Sequence, residues 1–199
     1  MPYDVKKDLK RLYAPKNTDW ALLEVPEQQF LAIDGRGNPN TAESYARAVE
    51  ALYSVAYTIK MAAKRRGEDF VVGPLEGLWW AEDYAAFTVR AKDSWQWTML
   101  VSLPAWIGED AVEEARETVR RKKKIEAPVR YEKLHEGRCA QVLHVGSYDD
   151  EGPLLARLHG EFLAAHGLAP TGLHHEVYLG DPRRVEPAKL RTVLRQPVG

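Results

Sequence analysis

The sequence predicts an α+β fold made of two β-α-β-β units whose strands form one antiparallel sheet. In each half of the chain the same order recurs: a strand, a turn containing glycine, a helix and two further strands. The strand segments alternate apolar and polar residues, whereas the helical segments repeat apolar residues at spacings of three and four. Pairing the units side by side puts both helices on one face of the sheet. We expect a ligand cleft on the other, concave face, between the halves.

Length, charge and cysteine content narrow the class of protein. A chain of 199 residues can bury one sizeable core or two small subdomains. The formal net charge of −1 gives no electrostatic reason to expect binding to nucleic acid or to an anionic membrane. No stretch approaches the roughly 20 apolar residues of a spanning helix, and the N-terminus lacks the apolar part of a signal peptide. The single cysteine, Cys139, excludes an intrachain disulfide, so we expect a cytoplasmic protein.

The first half is read as a short N-terminal extension followed by the first unit. Residues 1–28 contain a helical turn around Val5, a linker and a short strand at 20–25. Glycine and proline close the next strand. A helix then carries one apolar stripe and ends in a basic run before a glycine, as helix C-termini prefer. The predicted elements of this unit are a strand at 29–36, a helix at 41–66 and strands at 70–81 and 95–103.

The second half repeats this pattern after a connecting helix. The connecting helix has few apolar positions, so we expect it to pack one narrow side on the sheet. A proline just inside the start and Gly167 just past the end delimit the helix of the second unit. We therefore expect a single domain at 29–199, with repeats at about 29–104 and 129–198 joined by a helix at about 110–124. The predicted strands of the second unit lie at 129–135, 138–145, 173–179 and 189–197, and its helix lies at 153–166.

The strand predicted at 173–179 carries the most unusual pattern. Its alternation places His174, Glu176 and Tyr178 on one side of the sheet and His175 on the other. A covered carboxylate needs a partner, and a ligand can be that partner, but the alternation equally describes a solvated polar face. The repeat gives Glu176 a counterpart in Glu76, for which a role in stabilising the neighbouring turn is an equal alternative.

Other kinds of site receive less support from the sequence. His174 and His175 point in opposite directions along a strand and cannot share one ion, so we predict no metal site. A Gly-x-Ser-x-Gly elbow and glycine-rich phosphate loops are both absent, so we predict no nucleotide-type cofactor and no serine nucleophile. Trp20 and Trp106 are assigned to core or structural corners.

These motifs together resemble the family of GyrI-like small-molecule-binding domains. The same module forms the effector-binding domains of AraC-type and MerR-type regulators, and this chain is most similar to the stand-alone subfamily. The resemblance covers nearly everything from about Phe30 onward. The segments that carry it are residues 30–37, 53–60, 74–80, 95–97, 141–151, 174–184 and 190–198.

The resemblance implies a site that the residue spacing alone does not establish. In the regulators, a glutamate at the position of Glu176 anchors cationic or polar ligands. The stand-alone subfamily is associated with an aromatic cage and with hydrolytic opening of cyclopropane-bearing DNA-alkylating compounds. By position, the cage would use Trp79, Trp97, Tyr148 and Tyr178, and Trp80 and Trp95 would replace them if the register is shifted by one residue.

We therefore predict two groups of site residues. Glu176 and Tyr148 would place water and stabilise developing charge. The expected ligand is a flat apolar or cationic small molecule. The alternative is a non-catalytic module with a protein partner, as family members that modulate a topoisomerase are. A DNA-binding regulator is least favoured, because neither a reading helix nor a basic face is visible. The predicted ligand-binding residues are Trp79, Trp97, Tyr178, Glu76 and His174.

Overall fold

A computed structural model describes residues 1–80 and 92–199, and within them the chain forms one eight-stranded sheet. The strands are β1 (Ala21–Val25), β2 (Gln28–Arg36), β3 (Leu75–Trp80), β4 (Gln96–Leu103), β5 (Arg130–Leu134), β6 (Gly137–Val145), β7 (His174–Tyr178) and β8 (Arg191–Pro197). The helices are α1 (Val5–Asp8), α2 (Lys10–Tyr13), α3 (Glu43–Arg65), α4 (Glu109–Lys123), α5 (Gly152–Arg157) and α6 (Leu163–His166). A π-helical turn at Leu158–Phe162 joins the last two helices.

The strand order confirms the predicted duplication. The sheet runs β1-β6-β8-β7-β3-β4-β2-β5, and all neighbouring pairs are antiparallel. The two units therefore meet at β3 and β7, each followed outward by the remaining strands of its own unit. The edge strands are exchanged, because β1 pairs with β6 of the second unit and β5 pairs with β2 of the first. The segment predicted as an N-terminal extension thus supplies one edge of the sheet.

Both helical layers pack on the same face, which we call the helix face. In the first unit, buried residues of α3 such as Leu52 and Ile59 pack with Met99 and Val101 of β4. In the second unit, Leu158 of the π-helical turn packs in a cluster with Val142 of β6 and Leu194 of β8. The alternation of the strands assigns these sheet residues to one side. Helices on one face of an antiparallel sheet are what the sequence predicts.

The opposite face, which we call the reverse face, is covered by the N-terminal segment. Leu12 and Tyr13 of α2 are buried against Cys139, Val177 and Val193. The predicted helical turn near Val5 therefore packs against the sheet. The face on which we expected the ligand cleft is therefore the one that the N-terminal segment covers. We expected the cleft on the face without the α3 and α5–α6 layers, but the predicted site residues on β7 lie on the helix face.

Helix boundaries differ from prediction by a few residues, for local reasons. The helix predicted from residue 41 begins at Glu43, because a turn of hydrogen bonds from Thr41 and Ala42 to Asn38 precedes it. It ends as predicted beside Gly67, whose φ is +84°. The helix predicted at 153–166 is interrupted by the π-helical turn and ends at Gly167, which has a φ of +62°.

Strand boundaries show one larger difference. The strand predicted from residue 70 starts at Leu75, because Phe70 instead forms an isolated parallel bridge with Tyr3, and Pro74 has no N–H for a ladder. The predicted end of that strand at Ala81 lies outside the described residues. The other predicted strands agree with the observed ones within about two residues, the usual uncertainty of element ends. No helix in the described ranges is long and apolar enough to cross a membrane.

Candidate ligand-binding site

Glu176 lies at the junction of the two units with its side chain on the helix face. Along β7, His174, Glu176 and Tyr178 share this face, whereas His175 and Val177 point to the reverse face. The β3 residue opposite Glu176 is Gly77, which has no side chain to cover the carboxylate. The side chains of Glu176 and His174 keep 15% and 16% of their surface exposed. Glu176 is therefore a partly covered carboxylate that solvent and ligands can reach.

A chain of hydrogen bonds holds one oxygen of this carboxylate. The indole Nε1 of Trp79 donates to Oη of Tyr178 over 2.8 Å, and Tyr178 Oη donates to Oε2 of Glu176 over 2.7 Å. The second oxygen, Oε1, lies 3.4 Å from Nε2 of His174 without hydrogen-bond geometry. Both ring nitrogens of His174 are buried and lack a hydrogen-bond partner in the described part of the chain. Among the described residues, Oε1 is thus the oxygen of Glu176 without a hydrogen bond.

Aromatic side chains from both units surround Glu176. Tyr148, which follows β6, packs edge-to-face on Tyr178 with ring centroids 5.5 Å apart. Trp79 makes a similar contact with Trp95 at 5.7 Å. Tyr45 of α3 packs edge-to-face on Trp97 in the first unit, with ring centroids 5.3 Å apart. Aromatic side chains of both units therefore lie near the junction that holds Glu176.

The tyrosines near Glu176 are held as neutral phenols. Burial, followed by the charges of Glu151 and Glu176, raises the pKa of Tyr148 to about 12. Burial and the adjacent Glu176 carboxylate raise the pKa of Tyr178 well above its usual range. Burial raises the pKa of Tyr45 as well, with smaller contributions from Glu176 and Tyr148. Each phenol therefore keeps its proton at neutral pH and can donate a hydrogen bond.

This combination supports a limited set of chemical roles. The available oxygen of Glu176 can attract a cation, accept a hydrogen bond or take a proton from water. The phenol of Tyr148 can donate to negative charge that develops on a bound molecule. Aromatic faces stack on flat ligands and attract cations, with about 0.5–2 kcal/mol per cation–π contact, depending on desolvation.

The predicted tryptophans have different environments. Trp97 is 1% exposed, and its ring lies over Gly35, where a Cβ would come within 1.9 Å of it. Tyr45 packs edge-to-face against Trp97 at 5.3 Å, so Trp97 supports Tyr45 from the core side. Trp79 is 6% exposed and contributes its N–H to the Tyr178 hydrogen bond. Of the two alternative tryptophans, Trp95 joins this aromatic group.

Two tyrosines on α3 were not predicted as site residues. Tyr45 lies on the apolar stripe of the helix predicted at 41–66, and Tyr53 begins the segment 53–60 that carries the family resemblance. Burial raises the pKa of Tyr53 to about 12, with smaller contributions from Tyr57 and Glu76. The sequence feature that could have indicated these residues is their hydroxyl group. A tyrosine within an otherwise aliphatic stripe brings a polar group to the layer between helix and sheet.

The structure separates Glu76 from the other predicted ligand-binding residues. Gly77, and not Glu76, pairs with Glu176, so Glu76 points to the reverse face. Glu76 is fully buried there, and its oxygens accept hydrogen bonds from Tyr13 Oη and from Nε2 of His175, both at 3.0 Å. Its position is fixed by the pairing of β3 with β7, which the loose repeat in the sequence did not define.

Glu76 belongs to a buried polar group that we call the reverse-face network: Tyr13, Glu76, Glu136, Gln141, His175 and Arg195. Nδ1 of His175 lies 3.0 Å from Oε1 of Glu136, and Arg195 donates to the other oxygen of Glu136 over 2.9 Å. Carboxylate oxygens only accept hydrogen bonds, so both ring nitrogens of His175 donate and the ring is an imidazolium. The two cations of the network then balance its two carboxylates.

The pKa values agree with this charge assignment. Burial alone would lower the pKa of His175, but the carboxylates of Glu136 and Glu76 outweigh it and raise the pKa to about 9. Burial likewise opposes ionisation of Glu136, whereas His175 and Arg195 hold the pKa of its carboxyl at about 2. The network is therefore charged internally and neutral overall, which is typical of a structural element.

Metal binding finds no support in the geometry of the described residues. Within residues 1–80 and 92–199, no group of three or more His, Cys, Asp or Glu side chains is arranged to hold a metal ion. His174 and Glu176 lie close enough to bind one ion together, with 3.4 Å between Nε2 and Oε1, but two ligands are too few for a structural metal centre.

Comparison with known proteins gives a consistent set of similarities. The model of the GyrI-like small molecule binding domain matches residues 19–198. A hydrolase from Listeria innocua is 40% identical, with 100% of both chains covered and a TM-score of 0.89. An uncharacterized conserved protein from Listeria innocua is 39% identical, with 99% of this chain and 100% of that chain covered and a TM-score of 0.91. No curated protein matches the sequence significantly.

A more distant likeness concerns the fold alone. The C-terminal domain of EcmrR is 13% identical and has a TM-score of 0.59, over 91% of this chain and 97% of that domain. The duplicated sheet with helices on one face is therefore shared with a protein of very different sequence.

Proposed function

Because the chain belongs to the family of GyrI-like small-molecule-binding domains, we propose that it binds flat, apolar or cationic xenobiotics around Glu176 and hydrolyses those with an activated cyclopropane ring. The observation that carries the proposal is the hydrogen bonding of the two carboxylate oxygens of Glu176. One of its oxygens accepts a hydrogen bond from Tyr178, and the other accepts none from the described residues and lies 3.4 Å from Nε2 of His174.

The aromatic side chains and the carboxylate of Glu176 support the binding part of the proposal. Tyr148 packs on Tyr178 in the second unit and Tyr45 packs on Trp97 in the first, so both units supply aromatic side chains for a flat molecule near Glu176. Positive charge on the ligand would be attracted by Glu176 and by the aromatic faces. The neighbouring phenols remain neutral and add no further charge to the site, so a neutral ligand can bind as well.

The hydrolytic part assigns one role to each polar group. Water attacks a carbon of the activated ring, a C–O bond forms, and the ring C–C bond breaks with its electron pair moving to the conjugated oxygen. Oε1 of Glu176 takes the proton that the water loses and later returns it to the product oxygen, so the net change is addition of one water. Tyr148 donates a hydrogen bond to the developing anion and retains its own proton.

A relative supports hydrolysis more than binding alone. The Listeria innocua protein that is 40% identical over the full length is described as a hydrolase. Similarity at this level extends the expectation of hydrolytic chemistry to this chain, and the substrate class rests on the resemblance to the stand-alone subfamily.

The experiment combines binding with product analysis. A panel of aromatic dyes is titrated while tryptophan fluorescence is followed, and we expect saturable quenching by flat or cationic members. An aromatic compound with an activated cyclopropane is then incubated in ¹⁸O-labelled water, and we expect a ring-opened product with one labelled oxygen. Glu176→Gln should retain the binding of neutral dyes, weaken that of cationic dyes and lower kcat about 100-fold or more, the usual contribution of a general base.

Three outcomes separate the parts of the proposal. Saturable quenching with unchanged parent compound would leave a binding protein without hydrolysis. Absence of quenching by every dye would refute the aromatic site itself. Recovery of a stoichiometric protein partner without dye binding would favour the protein-interaction module that the sequence left as the alternative.

A further inference from the structure

The indole of Trp79 reaches Tyr178 because the intervening residue has no side chain. Trp79 and Gly77 point to the same face of β3, and Gly77 is paired with Glu176. A Cβ at Gly77 would lie 2.8 Å from Nε1 of Trp79, closer than Cβ contacts are found. The indole therefore lies back along β3 across the backbone of Gly77, which brings its N–H to the hydroxyl of Tyr178.

The chemistry of the indole fixes the direction of the next hydrogen bond. An indole N–H can only donate, so the Tyr178 oxygen uses a lone pair for it. The single proton of Tyr178 is then directed to Oε2 of Glu176 over 2.7 Å. The same arrangement leaves Oε1, on the His174 side, as the oxygen without a hydrogen bond in the described ranges.

We propose that Trp79 is a positioning residue that orients the Tyr178 hydroxyl and thereby selects Oε1 of Glu176 as the base. This inference rests on the proposed function of Glu176. It assigns Trp79 to the positioning of Tyr178 and not to the wall of the ligand site. The ring of Trp79 is 6% exposed and offers little free surface to a ligand, whereas its N–H is fully engaged. Without that N–H, the Tyr178 hydroxyl can turn and Glu176 loses its fixed orientation.

Indole resonances test the connection without any substrate. In ¹H–¹⁵N spectra the Trp79 indole peak is assigned by its loss in Trp79→Phe. We expect Tyr178→Phe to shift this peak by removing its acceptor. We also expect Glu176→Gln to shift it, because the amide changes what the Tyr178 proton can bond. Trp20 is the internal reference, since its Nε1 donates to the carbonyl of Leu154 at 3.0 Å, away from Glu176.

Kinetics test the role in catalysis. We expect Trp79→Phe to lower kcat about tenfold, which corresponds to about 1.4 kcal/mol of barrier, with KM changed less than about twofold. Gly77→Ala keeps the N–H but displaces the indole, so it should lower kcat in the same way. Trp20→Phe is the matched control, because Trp20 is 7% exposed, donates one N–H and packs in a separate cluster.

The outcomes distinguish this inference from the proposed function. A Trp79 peak that moves in Tyr178→Phe but not in Glu176→Gln overturns the connection, even if Glu176→Gln has lost turnover. Equal losses of kcat in Trp79→Phe and Trp20→Phe also overturn it, because general loosening of the core would explain both. Absence of turnover by the unmodified protein refutes the proposed hydrolysis, and the Trp79 peak still decides whether the connection exists.

Discussion

Two glutamates on neighbouring strands show how one sheet gives two carboxylates different surroundings. Glu76 on β3 and Glu176 on β7 lie near the same junction but point to opposite faces. Glu76 is fully buried, and side chains of the protein occupy both of its oxygens. The side chain of Glu176 keeps 15% of its surface exposed, and within residues 1–80 and 92–199 only one of its oxygens accepts a hydrogen bond. The number of hydrogen bonds supplied by the protein, and not the residue type, distinguishes the two carboxylates.

The cover on each face explains this difference. On the reverse face, the carbonyls at the end of α2 accept hydrogen bonds from Gln141 and Arg195, so the N-terminal segment is fastened to the network that holds Glu76. On the helix face, the layers of the two units are separate elements, and the carboxylate between them is surrounded by neutral phenols. The N-terminal segment therefore covers the carboxylate on the reverse face, whereas the carboxylate on the helix face keeps part of its surface exposed.

Glu76→Gln should give the largest effect on stability. The substitution leaves the buried charges of His175 and Arg195 with a single carboxylate. Removing one partner of a buried ion pair typically costs about 3–5 kcal/mol. We expect a loss of this size in the free energy of unfolding, measured by urea denaturation. A loss below about 1 kcal/mol, the value of a surface ion pair, would contradict the structural role of the network.

The reverse-face network should also make stability depend on alkaline pH. The folded pKa of His175 is raised from 6.5 to about 9, so the folded protein binds more protons than the unfolded chain between these values. The resulting stabilisation is complete below pH 6.5 and is lost as the pH rises through about 9. The shift corresponds to about 3 kcal/mol, measurable as a fall in the free energy of unfolding across this window.

Two variants show whether His175 is responsible for that fall. Glu176→Gln should retain the alkaline loss, because it leaves the network intact. His175→Gln should lack it, although its overall stability will be lower. A stability curve of the unmodified protein that is flat between neutral pH and pH 9 would contradict the charged state of His175.

Much of the fold could be predicted because its signals are local. The apolar stripe of α3 and the glycine after it defined a helix that differs from the observed one by two residues at its start. The alternation along β7 assigned His174, Glu176 and Tyr178 to one face and His175 to the other, as observed. Both signals depend only on the geometry of a single element.

The remaining parts depend on contacts between distant segments. Glu76 was paired with Glu176 by the repeat, but the register of β3 against β7 is offset by one residue, which reverses the face of Glu76. Tyr13 contacts Glu76 across 63 positions of sequence, and no local pattern in the N-terminal segment indicates that contact. The interruption of the second-unit helix by a π-helical turn was equally invisible in its apolar spacing.

The same substitution can be made at a tyrosine on each face. Tyr13→Phe leaves a buried oxygen of Glu76 without its donor, and hydrogen bonds to charged groups contribute about 1.5–3 kcal/mol. Tyr178→Phe removes the donor to Glu176, but that carboxylate is partly exposed, so water can replace the phenol there. The cost that remains is that of the Trp79 N–H, which loses its acceptor, and we expect about 1 kcal/mol. Thermal unfolding of the two variants compares them, and equal losses would mean that the two faces do not differ as described.

Glu176→Gln should have the smallest effect on stability, although we expect a large effect on turnover. The carboxylate has no cationic partner with hydrogen-bond geometry among the described residues, and the amide oxygen can still accept from Tyr178. We therefore expect a change within about 0.5 kcal/mol, as for substitutions away from structural networks. Urea denaturation alongside Glu76→Gln provides the comparison. A residue that serves ligand binding adds to stability mainly when the ligand is bound, so its substitution should cost little in the free protein. A loss approaching that of Glu76→Gln would instead mean that Glu176 stabilises the fold itself.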